Sequence, residues 1–283
     1  TISNPIAGTG ASTLLVGGVT SGLIINGSAS GIHIPSSVTQ LDNLEMNNGN
    51  IVIADGNVRI RSLCALTNGV LNMGANTLEI GHSTSIVGSL TRVGGGVVRG
   101  AIKRWFATTT QTTNTIFPVS NYHWLTGQGF GDDYNEVAIS FTNGGPATGG
   151  SLTVRFDTTG SGTLFSNGGL GYINVGEQWP GVNFINLSPQ YWTITPGDGL
   201  AGFTYDISLI ANGMNLSTVA TLYTGIVKRT NNTQPWAWSF ANHVNTSGTT
   251  TPVLGGTGFT TFSEFAVGGT LNNNFGVVNT CVC

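Results

Sequence analysis

The feature that most limits what this chain can fold into is the length of its apolar runs. The first third reads STLLVGG, GLIING, GIHIP, NLEMNNG, NIVIADG, NVRI, GVLNMG, NTLEIG, TSIVG and GVVRGAIKRW, with runs of about four to six residues, too short for helices. Gly and Asn separate them, where a left-handed backbone would turn the chain. NIVIADGNVRI (Asn50 to Ile60) and VLNMGANTLEI (Val70 to Ile80) share a pattern of strand, turn and strand, offset by about 20 residues, near one coil of a β-solenoid. Stacked rungs explain the uniformly short runs and their return better than a meander of hairpins, although ADG alone also suits a hairpin turn. A stack has open ends and needs a cap. The texture changes at AIKRWFATTTQTTNTIFPVSN, Ala101 to Asn121, which is where a second domain is expected to begin.

Beyond about Phe106 longer alternating patterns take over. In SLTVRF, Leu152, Val154 and Phe156 share one face while Ser151, Thr153 and Arg155 share the other; Phe203, Tyr205, Ile207 and Leu209 align in the same way. Such strands between Gly, Pro and Asn turns predict an antiparallel sandwich. The expected fold is therefore all-β, with N-terminal β-solenoid-like repeats over residues 1–105 followed by an antiparallel β-sandwich over 106–283. The opening TISNPIAGTGASTLLVGG is read either as the first rung or as an extended arm that adds a strand to the next subunit.

Composition narrows the setting. Only 7% of the residues are charged, so solubility rests on hydroxyls and amides, a surface that tolerates changes of salt and allows subunits to pack closely. Six Trp and 13 Phe argue against a disordered chain. Nine Lys or Arg against 12 Asp or Glu form no long basic cluster, which argues against nucleic acid as a partner. No apolar run approaches the roughly 18 residues of a membrane-spanning helix. A first residue of Thr1 suggests a processed or excised chain. The expected location is extracellular or at the cell surface, with self-association into a polymer or array.

Candidate sites are few. The densest acidic group, GDDYNE, offers Asp132, Asp133 and Glu136 in a Gly-rich loop, a weak Ca²⁺ candidate without EF-hand spacing, weighed against a plain solvated loop. No cofactor other than that Ca²⁺ is expected. His33, His82, His123 and His243 are far apart and show no metal-ligand spacing. No G-x-S-x-G elbow and no compact acid and base pair can be named, so no catalytic residue is assigned and the chain is read as non-enzymatic. Cys281 and Cys283 stand one residue apart, on opposite faces of any strand; a bridge would join one of them to Cys64 or to another chain, and free thiols are the competing reading. Trp236 and Trp238 share a strand face and are read as sandwich core, whereas Trp124 and Trp179 lie in loop-like contexts suited to glycan or subunit contact. Lys103 and Arg104, with Arg92 and Arg99, form a local basic cluster read as outward-facing edge residues.

The order of motifs resembles repeat-rich secreted and surface proteins of Bacteroidota. TNGVLNMGANTLEIG leads into GSLTRVGGGVVRGAIKRWF, then TIFPVSN, then FTTFSEFAVGG, so the likeness runs from about Leu44 to Gly269. The resemblance implies export by the type IX pathway and a role as an adhesin or surface fibre. It also implies a C-terminal sorting domain, which is not evident in TLNNNFGVVNTCVC; the expectation is that it has been removed, or that the chain is a segment or a subunit attached in another way. DTT at Asp157 to Thr159 resembles the short sequence that carries O-linked glycan in this phylum, with Thr158 as acceptor. The resulting expectation is an extracellular structural or adhesive surface protein, extending to a self-assembling filament subunit; the alternative is a carbohydrate-binding module of a secreted protein.

Overall fold

The computed structural model describes residues 20–108, 114–122, 132–157, 184–211, 221–231, 237–238, 244–245 and 253–271. These residues contain strands and no helix, arranged as a β-solenoid of about 4 turns and a separate antiparallel sheet. No helix among them is long and apolar enough to cross a membrane, which says nothing of a β-barrel.

The solenoid is built from β1 (Gly22–Gly27), β2 (Ile32–Ile34), β3 (Gln40–Ala54), β4 (Val58–Ile80), β5 (Ser89–Arg92) and β6 (Val97–Phe106). Every pairing among them is parallel, which excludes the hairpin reading. Parallel register stacks like on like. Leu23, Leu44, Cys64 and Leu90 form one buried column through four rungs. Ile32, Val52, Leu71, Val98 and Val119 form another. Burying each aliphatic side chain in such a column contributes about 1.5–3 kcal/mol, the term that offsets the entropy of ordering so many short segments.

Several runs that read as separate strands are continuous ladders around corners: β4 alone is 23 residues long and absorbs NVRI, GVLNMG and NTLEIG. Gly69 (φ 78°) and Gly74 (φ 55°) let it turn at places where its register with β3 and with β6 shifts. The asparagines do a different job from the one the sequence suggests. The only described non-Gly residues at positive φ are Asn143 and Asp198, both outside the solenoid. In the solenoid Asn26, Asn47 and Asn68 stack in register at one corner. Other amides bridge neighbouring coils: Asn48 Nδ2 donates to Ala29 O (2.9 Å), Asn76 Nδ2 donates to Ala54 O (3.1 Å), and Asn57 Oδ1 accepts from Thr77 N (2.8 Å). Each satisfies backbone that a corner would otherwise leave unpaired.

The remaining strands are β7 (Thr115–Phe117), β8 (Val119–Tyr122), β9 (Asp132–Tyr134), β10 (Val137–Thr142), β11 (Gly150–Asp157), β12 (Phe184–Gly197), β13 (Thr204–Ile210), β14 (Thr221–Arg229), β15 (Ala237–Trp238), β16 (Val244–Asn245), β17 (Val253–Phe259) and β18 (Glu264–Leu271). One sheet crosses from solenoid to sandwich without a break, in the order β1-β3-β4-β6-β11-β12-β18-β14-β15. The strand that joins the two halves is β6, at whose end the sequence pattern places the boundary. It is parallel to β4 on one edge, and on the other it takes β8 in parallel at Val98 and Arg99 and β11 antiparallel from Ala101 to Phe106. The last rung is thus capped by the sandwich itself, which removes one open edge of the stack.

The second sheet, β16-β17-β13-β10-β7, packs on the antiparallel half of the first. The faces expected for Leu152, Val154 and Phe156 and for Tyr205, Ile207 and Leu209 all point into this core. Aromatic pairs close it, including Phe106 edge-on to Phe141 at 5.1 Å and Tyr205 stacked on Phe262 at 4.1 Å. Trp192, fully buried, donates from Nε1 to Asn135 O at 3.0 Å.

Candidate functional site

Charge is scarce in this chain, and one cluster of it is gathered on the outer face of the continuous sheet. Alternation sets the positions. Val58 and Ile60 point inward and leave Arg59 outside; Leu78 and Ile80 do the same for Glu79, and Ile102 for Lys103. Register then aligns the outer side chains across successive strands: Gln40 beside Arg59, Glu79 beside Lys103, and Lys103 beside Thr153. Arg59 Nε donates to Glu79 Oε2 at 2.7 Å, and Trp105 Nε1 donates to Glu79 Oε1 at 2.8 Å. Lys103 Nζ stands 3.4 Å from the same Glu79 oxygen and 4.7 Å from the Trp105 ring centroid.

The turn after β12 adds the last member. Asp198 adopts φ 52°, a conformation Asp tolerates better than most residues, and sets its Oδ2 2.8 Å from Lys103 Nζ and 2.6 Å from Ser151 Oγ. Burial pushes the Glu79 carboxyl up, but hydrogen bonds from Trp105 and Arg59 and the charges of Lys103 and Arg59 outweigh it and hold the group below its usual range. Asp198 is lowered too, chiefly by its hydrogen bonds from Lys103 and Ser151. Both carboxylates are therefore charged acceptors at neutral pH.

Beside this ladder lies an open cleft of about 520 Å³, lined by Ser36, Thr39, Gln40, Asn57, Val58, Arg59, Thr77, Glu79, Lys103 and Thr153. It runs across the strands rather than along one, so both solenoid and sandwich contribute to it.

Apart from Lys103, the residues singled out from sequence fall elsewhere or outside the described residues. Trp124, Trp179, Thr158, Cys281, Cys283, His123, His243 and Trp236 lie outside the described residues. Asp132 and Asp133 belong to strand β9, paired with Tyr122 and Asn121, where the sequence suggests a loop. Glu136 accepts a hydrogen bond from Tyr134 OH, and the Arg92 guanidinium sits 3.7 Å over the Tyr134 ring. Burial raises the Glu136 carboxyl and Arg92 opposes the shift. Among the described residues no group of three His, Cys, Asp or Glu is placed to hold a metal ion.

Cys64 lies fully buried inside the solenoid, forms no disulfide among the described residues, and has its thiol pushed up to about 12 by burial. The basic cluster divides. Lys103 faces outward as expected, but Arg104 points inward with Ile102 and Phe106, donates from Nη1 to Ile116 O (2.9 Å), and is pushed down to about 10 by burial. It fills the inside of the last rung where β7 arrives. Of the ladder, the sequence pattern singles out only Lys103. Arg59 and Glu79 occupy equivalent places in NVRI and NTLEI, so superposing those two repeats stacks them; nothing local marks Asp198.

Comparison with protein-family models, curated proteins and solved structures finds no match for this chain.

Proposed function

We propose that this protein is a non-catalytic, extracellular structural or adhesive surface element, with assembly into filaments as its extended form. The observation that carries the reading is the unbroken sheet from β1 to β15, in which the solenoid and the sandwich share strand β6. Tension applied across the strands is borne by the many backbone hydrogen bonds of each rung together, so the chain is suited to transmit force rather than to flex at a linker. The sparsely charged, hydroxyl-rich and amide-rich surface supports close packing of copies, and the likeness in motif order to Bacteroidota surface proteins supports the extracellular setting.

Negative-stain electron microscopy of the protein isolated from its source without reductant tests the reading. Regular fibres, or a decorated cell surface under immunogold labelling, are expected. Dispersed monomers confined to the cell interior would overturn it. The second reading, a carbohydrate-binding module, is favoured by one observation, the polar cleft on the outer face.

A further inference from the structure

We infer that the cleft crossing β3, β4, β6 and β11 binds a neutral oligosaccharide, laid across the strands in the direction in which the rungs stack. The inference rests on the adhesive reading and names what the surface would adhere to.

Shape comes first. Four successive steps across the sheet, from the Gln40 position through Arg59, Glu79 and Lys103 to Thr153, span about 19 Å at the usual ~4.8 Å strand spacing. The cleft, of about 520 Å³, is lined from Gln40 at one end of this row to Thr153 at the other, which suits an extended chain of sugar rings better than a compact metabolite.

The chemistry of the lining selects the ligand class. A sugar hydroxyl both donates and accepts, so a diol is best held where a charged acceptor and a charged donor stand side by side. Arg59 beside Glu79 supplies such a pair in the lining, and Lys103, also in the lining, is paired with Asp198, which stands outside it. With Asp198 counted, two cations meet two anions, so the cluster carries no net charge to attract a polyanion. Thr39, Thr77, Asn57 and Gln40 surround them with uncharged donors and acceptors. The groups are reachable, with side chains 34% exposed at Arg59 and 24% at Lys103. They are also already held by one another, which reduces the ordering penalty of binding. Trp105, fixed by its bond to Glu79, braces the ladder from the side.

The experiment is titration calorimetry of the full chain with a panel of neutral oligosaccharides, and with polygalacturonate as the anionic comparison. Neutral ligand is expected to bind with an affinity that changes little between low and high salt, because no counterions are released. Gln40→Ala combined with Thr77→Val, and separately Arg59→Gln, should weaken binding by about tenfold or more. Arg155→Gln, on the same face but outside the lining, should leave it unchanged. Absence of binding to every neutral glycan, binding to polygalacturonate alone, or binding indifferent to the cleft variants would overturn the inference. Microscopy of the same samples separates the two proposals: fibres without glycan binding overturn only the cleft, and glycan-binding monomers overturn only the assembly.

Discussion

Replacing Gly69 by Ala tests how closely the coils are stacked. Gly69 turns a corner of β4 at φ 78°, and a Cβ built there would lie 1.8 Å from the Asn48 carbonyl oxygen and 2.7 Å from that of Asn50, both on the preceding coil. The left-handed backbone alone costs Ala about 1–2 kcal/mol. The clash adds more, because ordinary contact requires the two coils to separate by over an ångström at this corner. Losing two rung-to-rung hydrogen bonds there would cost about 2 kcal/mol further. Gly74 supplies the control: it sits at φ 55° in the same strand, but a Cβ there meets nothing within 4 Å. Gly74→Ala should therefore show the backbone cost alone, and Gly69→Ala about 2 kcal/mol more. In thermal unfolding followed by far-ultraviolet circular dichroism, that difference corresponds to a further drop in Tm of about 4–8 °C. Equal shifts for the two variants would refute the claim that the corner is set by contact between coils.

Three further outcomes follow from the buried and charged groups. Glu79 has a folded pKa below its unfolded value, so its contribution to stability is present above about pH 4.5 and is lost as the pH falls through the lower, folded value. Glu79→Gln should lower Tm at neutral pH and flatten that acid limb, and an unchanged limb would count against the ladder. Cys64, buried and pushed up to about 12, should resist iodoacetamide in the native protein at mildly alkaline pH and react only on unfolding, as read by mass spectrometry; fast native labelling would contradict its placement. Trp192→Phe removes the donor to the Asn135 carbonyl and part of a buried ring, and should cost about 2 kcal/mol in urea unfolding, whereas a neutral change would show that the bond carries no weight.

The regularity of the short runs makes the fold class readable. Val58, Ile60, Leu78 and Ile80 alternate so strictly with Arg59 and Glu79 that the order of residues alone fixes inside and outside for each rung. The return of the pattern after about 20 residues gives the coil. The role of Asn is hidden for a local reason: Asn is common at turns, and a single sequence does not show that Asn48 and Asn76 reach to carbonyls on the preceding coil. Arg104 defies expectation because a charge normally stays outside; here the inside of the last rung meets β7, whose Ile116 carbonyl accepts its hydrogen bond.

By itself, then, the sequence determined the all-β class, the stacking of short strands and the inward face of rungs such as those of Val58, Ile60, Leu78 and Ile80, because these depend on alternation between adjacent residues and on a period written along the chain. Only the tertiary structure decided that β6 serves both halves, that the sandwich caps the solenoid, and that Arg59, Glu79, Lys103 and Asp198 meet on one face. Those facts depend on register between strands distant in the chain and on a turn that returns Asp198 to Lys103. Such long-range geometry is fixed by the packing of the whole core and leaves no local mark.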